Sequence, residues 1–340
     1  MSPERREAMP LSSRQAPFRT AFFRDVAGSA RSSTMPNARF LWLLVPIAGL
    51  AELGLFVYDA WRAPRVSEWQ AVRAEVAKLK EPADLLVVAP EWADPIARYA
   101  FGDELMPIAK EARPDDSAFS RAVEVATLGK SAPELQGWSV REERTVGRFQ
   151  LRLRENPKPE HVLFSFLDNA RPPSLSVTAG DSRDTERACV YTAHAAASAG
   201  GLHGHLAFPR ERYLCGGEEF FVGITILDDQ EYRPRRCLWA EPRSGESVRL
   251  SFSNVLMGRK IFGFGGLSYF IFRDGAHGPT TITAQVQGQR VGSYEHHDER
   301  GWHHFEFDTE RFAGQTTTVE FDVSSDDPSD RQFCFYADTR

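Results

Sequence analysis

Thr318-Val319-Glu320-Phe321-Asp322-Val323 sets Val319, Phe321 and Val323 against Glu320 and Asp322. This is the two-residue period of a strand with one face in a core and the other in water. The same period occurs at Val248-Leu250-Phe252 and at Ile282-Ala284-Val286, the latter followed by a turn at Gln287-Gly288. Phe305 and Phe307 alternate with Glu306 and Asp308 in the same way. Short strands at roughly eight-to-twelve-residue spacing, separated by Gly and Asp turns, predict a β-sandwich. It is placed at about 243–340.

Upstream the pattern loosens. Phe149, Leu151 and Leu153 alternate with Gln150, Arg152 and Arg154, a half-buried strand. Val162 to Leu167 and Phe220 to Leu227 read as further strands, the latter ending in Asp228-Asp229, so that the whole of 160–340 is β-rich. The Ala-, Ser-, Gly- and Asp-rich stretch 168–205 carries no assignable period.

Before residue 155 the signals are mixed. Val66, Trp69, Val72, Val76 and Leu79 recur every three or four residues, an amphipathic helix. Asp84-Leu85-Leu86-Val87-Val88-Ala89-Pro90 holds a short continuous apolar run of the kind a buried parallel strand shows. Asp94-Pro95 follows, read as a helix N-cap with proline at N1. That helix carries Ile96, Tyr99 and Ala100 and ends near Gly102, and a second helix is expected over Ser117 to Ala126. Together they suggest a small α/β domain over 66–155, separate from the β-rich region.

Phe40 to Tyr58 is different in kind: nineteen residues with one charge, Glu52, and eleven Leu, Ile, Phe or Val. About twenty such residues cross a bilayer core as a helix, and 39–61 is read as a transmembrane helix. Glu52 costs about 3 kcal/mol near the middle, which the large apolar side chains offset. It is read as a tolerated polar residue, with a contact to a partner helix as the functional alternative. The preceding residues hold seven arginines (Arg5, Arg6, Arg14, Arg19, Arg24, Arg31, Arg39) against Glu4, Glu7 and Asp25. Short basic flanks stay in the cytoplasm. Residues 1–38, poor in periodic apolar residues, therefore read as a disordered cytoplasmic tail. The bulk of the chain then lies outside a bacterial-type inner membrane, in the periplasm. Gly49-Leu50-Ala51 after Phe40 to Ala48 also offers a signal-peptide cleavage site. A retained anchor and a cleaved leader imply the same compartment.

The net charge is −6, and no basic run is present, which argues against nucleic acid as a partner. Four cysteines, Cys189, Cys215, Cys237 and Cys334, lack zinc-like spacing. In an oxidising compartment they suggest two disulfides. Of three pairings, Cys189–Cys215 with Cys237–Cys334 is preferred, because the second would tie early and late strands of the sandwich together. Free buried thiols are the alternative.

Gly301-Trp302, Phe305-Glu306-Phe307-Asp308, Ala313-Gly314 and Thr318-Val319-Glu320-Phe321 together resemble the late strand pair of galactose-binding-like jelly rolls. This is the fold of many carbohydrate-binding modules, and the resemblance covers 246–323, about a quarter of the chain. It implies a jelly-roll-like sandwich and specifies no ligand. Asp84 to Trp92 resembles the soluble extracytoplasmic portion that follows the last membrane helix in some multi-spanning glycosyltransferases. The chain departs from those enzymes in lacking their many membrane helices and the acidic motifs of their first extracytoplasmic loop.

Sugar rings stack on exposed aromatics, and Trp239, Tyr269, Tyr294 and Trp302 are the candidates here, the two tryptophans being equally candidates for the core. Asp326, Asp327 and Asp330 cluster in one loop, where calcium is the inorganic ligand such acids suggest and a solvated turn the alternative. No other cofactor is indicated. Glu91 and Asp94 lie just past the apolar strand, where open α/β sheets hold ligands and where two carboxylates can serve as acid and base. Otherwise Asp94 caps its helix and Glu91 is solvated. His203, His205, His296, His297, His303 and His304, with Asp228, Asp229 or Asp298, invite a metal site. His303 and His304, adjacent on a strand, must point to opposite faces, and surface histidines are the plainer reading. Gly263-Phe264-Gly265-Gly266 lacks the strand-to-helix context of a phosphate loop, and no G-x-S-x-G nucleophile elbow occurs. The sequence thus points to a single-pass, extracytoplasmic, non-catalytic binding or accessory protein for envelope glycans or a membrane glycosyltransferase, with a purely structural envelope protein as a further reading. The alternative is a hydrolase or glycosyltransferase-related enzyme using the acidic edge or a histidine metal site.

Overall fold

The computed structural model describes residues 41–182, 184–196, 208–217, 220–229, 233–243, 245–267, 278–297, 301–326 and 332–340. Two compact units divide the chain between Asp59 and Ala60. Helix α1, Leu41–Arg62, has 22 residues, about 33 Å at 1.5 Å per residue. Leu44, Ile47, Leu50, Leu53 and Phe56 are exposed around it. By length and composition it is apolar enough to cross a membrane.

Residues 60–340 hold a mixed α/β layer and a β-sandwich in one compact unit. In the layer, strand β1 (Leu85–Ala89) runs parallel to β2 (Arg121–Thr127). Strands β3 (Ser139–Val146) and β4 (Phe149–Glu155) complete the order β1-β2-β4-β3. Helices α2 (Val66–Leu79) and α3 (Asp94–Leu105) cover one face. There Trp69 meets Phe149 edge-on at 4.6 Å between ring centres. Leu85, Val87, Ala122 and Ala126 fill the other face with Leu135. Both faces of β1 are buried, which is why its sequence is an unbroken apolar run. Helix α2 opens with the Glu68 carboxylate accepting the N–H of Arg65 at 2.7 Å, one reciprocal half of a capping box.

Two local expectations fail. Ser117 to Ala126, expected as helix, holds all of β2 but its last residue, Thr127. Val123 and Val125 face the helices while Ala122 and Ala126 face away; because alanine on one face and valine on the other suit either period, the pattern stays ambiguous until pairing with β1 settles it. Asp94 is the first residue of α3 and Ala93 its N-cap, so Asp94 serves an ion pair instead of a cap. The helical geometry does break at Gly102, whose φ of 70° with ψ of 176° is a combination essentially confined to glycine.

The sandwich begins at Phe164, well before 243. Its first sheet collects β8 (Val190–Thr192), β9 (Arg212–Leu214), β10 (Phe221–Asp228), β11 (Pro234–Ala240), β13 (Lys260–Leu267), β16 (His303–Asp308) and β18 (Phe333–Thr339), with β5 (Phe164–Ser165) on β18. The second collects β6 (Leu175–Gly180), β7 (Arg187–Ala188), β12 (Ser247–Leu256), β14 (Thr280–Val286), β15 (Gln289–His296) and β17 (Thr316–Ser325). All these pairs are antiparallel. The early start follows from pairing: β12 needs β6 on its free side, with Leu250 opposite Val177. The alternating residues read from the sequence form the interior. Val248, Leu250, Phe252, Ile282, Val319 and Phe321 meet Ile261, Phe305, Phe333 and Phe335. Phe166 stands edge-on to Phe252 and Phe321 at 5.0 and 4.8 Å. Both expected disulfides, Cys189–Cys215 and Cys237–Cys334, are present.

The layer is fastened to the outer face of the first sheet. The Arg236 N–H donates to the Ala112 carbonyl at 2.6 Å, and Arg235 Nη1 to the Arg113 carbonyl at 3.1 Å. Arg340, 3 % exposed in its side chain, donates to Asp338, to Ser117 Oγ at 2.5 Å and to Glu160 at 2.9 Å. It also lies 3.3 Å from Asp115.

Candidate functional site

Where layer and sandwich meet, a cleft of about 890 Å3 opens at the C-terminal end of β1. Strand β1 stops at a cis Ala89-Pro90 bond and a short turn, Glu91–Ala93, before α3 begins. This places Glu91, Trp92 and Asp94 on the cleft wall. A four-residue helix, Ile108–Glu111, contributes Glu111, and the following loop Arg113. From the sandwich side come Arg233, Arg235 and Phe264.

The charges are arranged in pairs. Arg98, one helical turn from Asp94, lies 3.6 Å from its carboxylate and 3.3 Å from that of Glu111. Arg113 pairs with Asp116 and lies 3.7 Å from Glu134. Arg233 stands 3.6 Å from Glu91. Arg235 is held at 3.0 Å by Asp229, whose side chain is fully buried. Burial pushes the Glu111 carboxyl up to about 7, and the negative charge of Asp94 adds to the shift. Arg113 and Arg98 oppose the shift without cancelling it. Burial likewise raises Glu134. The negative charge of the neighbouring Asp94 thus helps Glu111 hold its proton toward neutral pH. Trp92 stands at this wall 60 % exposed, an open aromatic ring beside fixed polar groups.

The sequence singled out Glu91 and Asp94, and the structure brings both to this wall. It missed Trp92, Arg98, Glu111, Arg113, Glu134, Arg235 and Phe264. Arg98 was findable, being four residues after Asp94 on a predicted helix; Glu111 and Phe264 reach the cleft only through the tertiary fold.

The other candidates lie elsewhere. Trp239 is 1 % exposed, against Phe221 and beside Cys334; it offers no ring face and is corrected to a core residue. Tyr294 is half-buried, stacked on Phe305 at 5.1 Å, with its hydroxyl 2.8 Å from His296 Nδ1. Trp302 is half-buried against the cluster of Trp239 and Phe221. Tyr269 lies outside the described residues, as do Asp327, Asp330, Asp298, His203 and His205. Asp326 is exposed. His303 turns inward to His296, 5.5 Å between ring centres, while His304 lies against Phe262 and Phe264 on the outer face. His297 lies 3.1 Å from Glu295. Among the described residues no three His, Cys, Asp or Glu side chains converge as metal ligands.

No protein-family model and no curated protein matches the chain. Solved structures similar to part of it include CBM51-2 in complex with GlcNAc, with INT domains, from Clostridium perfringens ZmpB. That match is 8 % identical, with a TM-score of 0.25, and covers 34 % of this chain and 25 % of that one. CBM51 from Clostridium perfringens GH95, in complex with methyl-galactose, is 13 % identical over 34 % of this chain and 81 % of its own, with a TM-score of 0.24. The CBM22-1 xylan-binding domain of Paenibacillus barcinonensis Xyn10C is 14 % identical over 35 % of this chain and 78 % of its own, with a TM-score of 0.22. The chain thus spans a quarter of the length of the first of these. The two-sheet architecture rests on the strand pairings of this chain alone.

Proposed function

We propose that the protein is a membrane-anchored, extracytoplasmic accessory protein that binds a glycan of the cell envelope in the cleft between layer and sandwich. The observation that carries this reading is Trp92, an exposed aromatic ring on a wall whose carboxylates and guanidiniums are already held in place by pairing. A sugar presents an apolar face to such a ring and hydroxyls to such a rim. Helix α1 supports the anchor, and two disulfides support an oxidising compartment. The arginine-rich flank then faces the cytoplasm and the larger unit the periplasm.

A second reading, a glycan-cleaving enzyme, has one observation in its favour. Glu111 keeps a proton near neutral pH beside Asp94, which is the condition for a general acid next to a carboxylate.

The test is a polysaccharide pull-down and glycan array with the detergent-solubilised full chain, alongside Trp92→Ala and Glu111→Gln. Capture that falls about tenfold in Trp92→Ala, a loss of stacking worth about 1.4 kcal/mol, with circular dichroism unchanged, supports binding in the cleft. Release of reducing ends by the parent chain, abolished in Glu111→Gln, supports the enzyme. Capture of no glycan at all overturns the carbohydrate reading.

A further inference from the structure

We propose that a recess at the C-terminal end of α1 takes the phosphate of an anionic phospholipid headgroup. The recess, about 320 Å3, is lined by Trp61, Arg62, Thr127, Leu128, Gly129 and Arg148. Among its described lining residues are two guanidiniums and no carboxylate. The larger hollows differ in this respect: the interlayer cleft carries Glu91, Asp94 and Glu111, and a hollow of about 830 Å3 beside Leu256 and Met257 carries Glu306 and Asp308.

Arg148 is fixed before any ligand arrives. Its Nη1 donates to the carbonyls of Trp61 at 2.6 Å and Ala63 at 3.2 Å, and its Nε lies 3.3 Å from Glu68. Nη2 takes no hydrogen bond among the described residues, which leaves one arm of the fork for an incoming oxygen. The guanidinium also lies 5.7 Å from the centre of the Trp61 ring. The opposite wall is a tight turn closed by the Lys130 N–H on the Thr127 carbonyl at 3.0 Å. Leu128 and Gly129 occupy it with φ of 58° and 70°.

Planar guanidiniums match phosphate oxygens in geometry and charge. Trp61 is 68 % exposed, and tryptophan and arginine just past an apolar helix are the side chains that settle at the headgroup level. The assignment rests on the reading of α1 as a membrane anchor, because only an anchored helix holds this recess at the lipid surface.

The experiment uses the full chain reconstituted in nanodiscs of phosphatidylcholine alone and of phosphatidylcholine mixed with phosphatidylglycerol. Lipids retained by the protein are counted by native mass spectrometry. Phosphatidylglycerol enriched several-fold over its share in the disc is the expected result. Arg62→Gln should reduce that enrichment about fivefold, the value of one basic side chain at an anionic surface, whereas Arg62→Lys, which keeps the charge without the planar fork, should restore it only in part. Retained lipid that mirrors the disc composition, or enrichment unchanged in Arg62→Gln, overturns the assignment. Alkaline carbonate extraction of membranes separates the two readings. Release of the full chain into the supernatant overturns the anchor and the assignment together, while retention without lipid preference overturns the assignment alone.

Discussion

The guanidinium of Arg340 lies 3.7 Å from the centre of the Phe262 ring. Below it, the Asp338 carboxylate accepts from Nε and Nη2 at 2.7 and 2.8 Å. Both partners are buried, and Asp338 also accepts from the Tyr336 hydroxyl at 2.8 Å. Arg340→Met keeps the apolar stem and strands a buried carboxylate, a class of change that costs about 3–5 kcal/mol. Urea denaturation should show a lower midpoint with an unchanged slope. A midpoint equal to that of the parent would contradict the role given to this pair.

The two disulfides should differ in weight. Cys237–Cys334 closes a separation of 97 residues and Cys189–Cys215 one of 26. In the chain-entropy model these give about 4.7 and about 3.6 kcal/mol. Paired serine substitutions at Cys237 and Cys334 should lower the melting temperature more than the same change at Cys189 and Cys215. The reverse order in calorimetry would show that native contacts, and not loop closure, set their value.

Glu111 should make stability fall as pH rises. Its carboxyl titrates near 4.5 unfolded and about 7 folded, so between those values the folded chain binds more protons and is favoured by acid. This contribution is complete below pH 4.5 and is lost as pH climbs through 7. It amounts to about 3 kcal/mol. Glu111→Gln, which cannot ionise, should flatten the profile between pH 5 and 8. A parent protein equally stable at both ends of that range would refute the assignment.

Gly263 is required by packing. A Cβ there would fall 2.3 Å from the Phe305 ring and 2.6 Å from the Tyr336 carbonyl oxygen. Gly263→Ala should cost about 1–3 kcal/mol through overpacking. Gly314 has open space around it and a φ of 78°, so Gly314→Ala should lose only the smaller backbone term, about 1 kcal/mol. Chemical denaturation of the two variants side by side tests the ranking.

Strands whose two faces differ were legible in the sequence: Val319-Phe321-Val323, Ile282-Ala284-Val286 and Phe149-Leu151-Leu153 all bury the residues their alternation selects. Strand β1 was legible for the opposite reason, being covered on both sides. Strand β2 was not, because alanine and valine suit either period. The two- and three-residue strands between Arg187 and Leu214 carry too few positions for any period to register. Only one corner of the cleft was visible, at Glu91 and Asp94, where a strand runs into a helix. The rest arrives from Glu111, Arg235 and Phe264, brought there by the docking of layer on sandwich.

That docking has a consequence for how the cleft meets a ligand. Its two walls are stitched by Arg340, Arg235 and the Arg236 main chain, contacts that hold one against the other before a ligand arrives. Binding then carries no cost of domain rearrangement. A ligand is selected by fit to a shape that exists in its absence, and association should follow a single exponential whose rate rises linearly with ligand concentration.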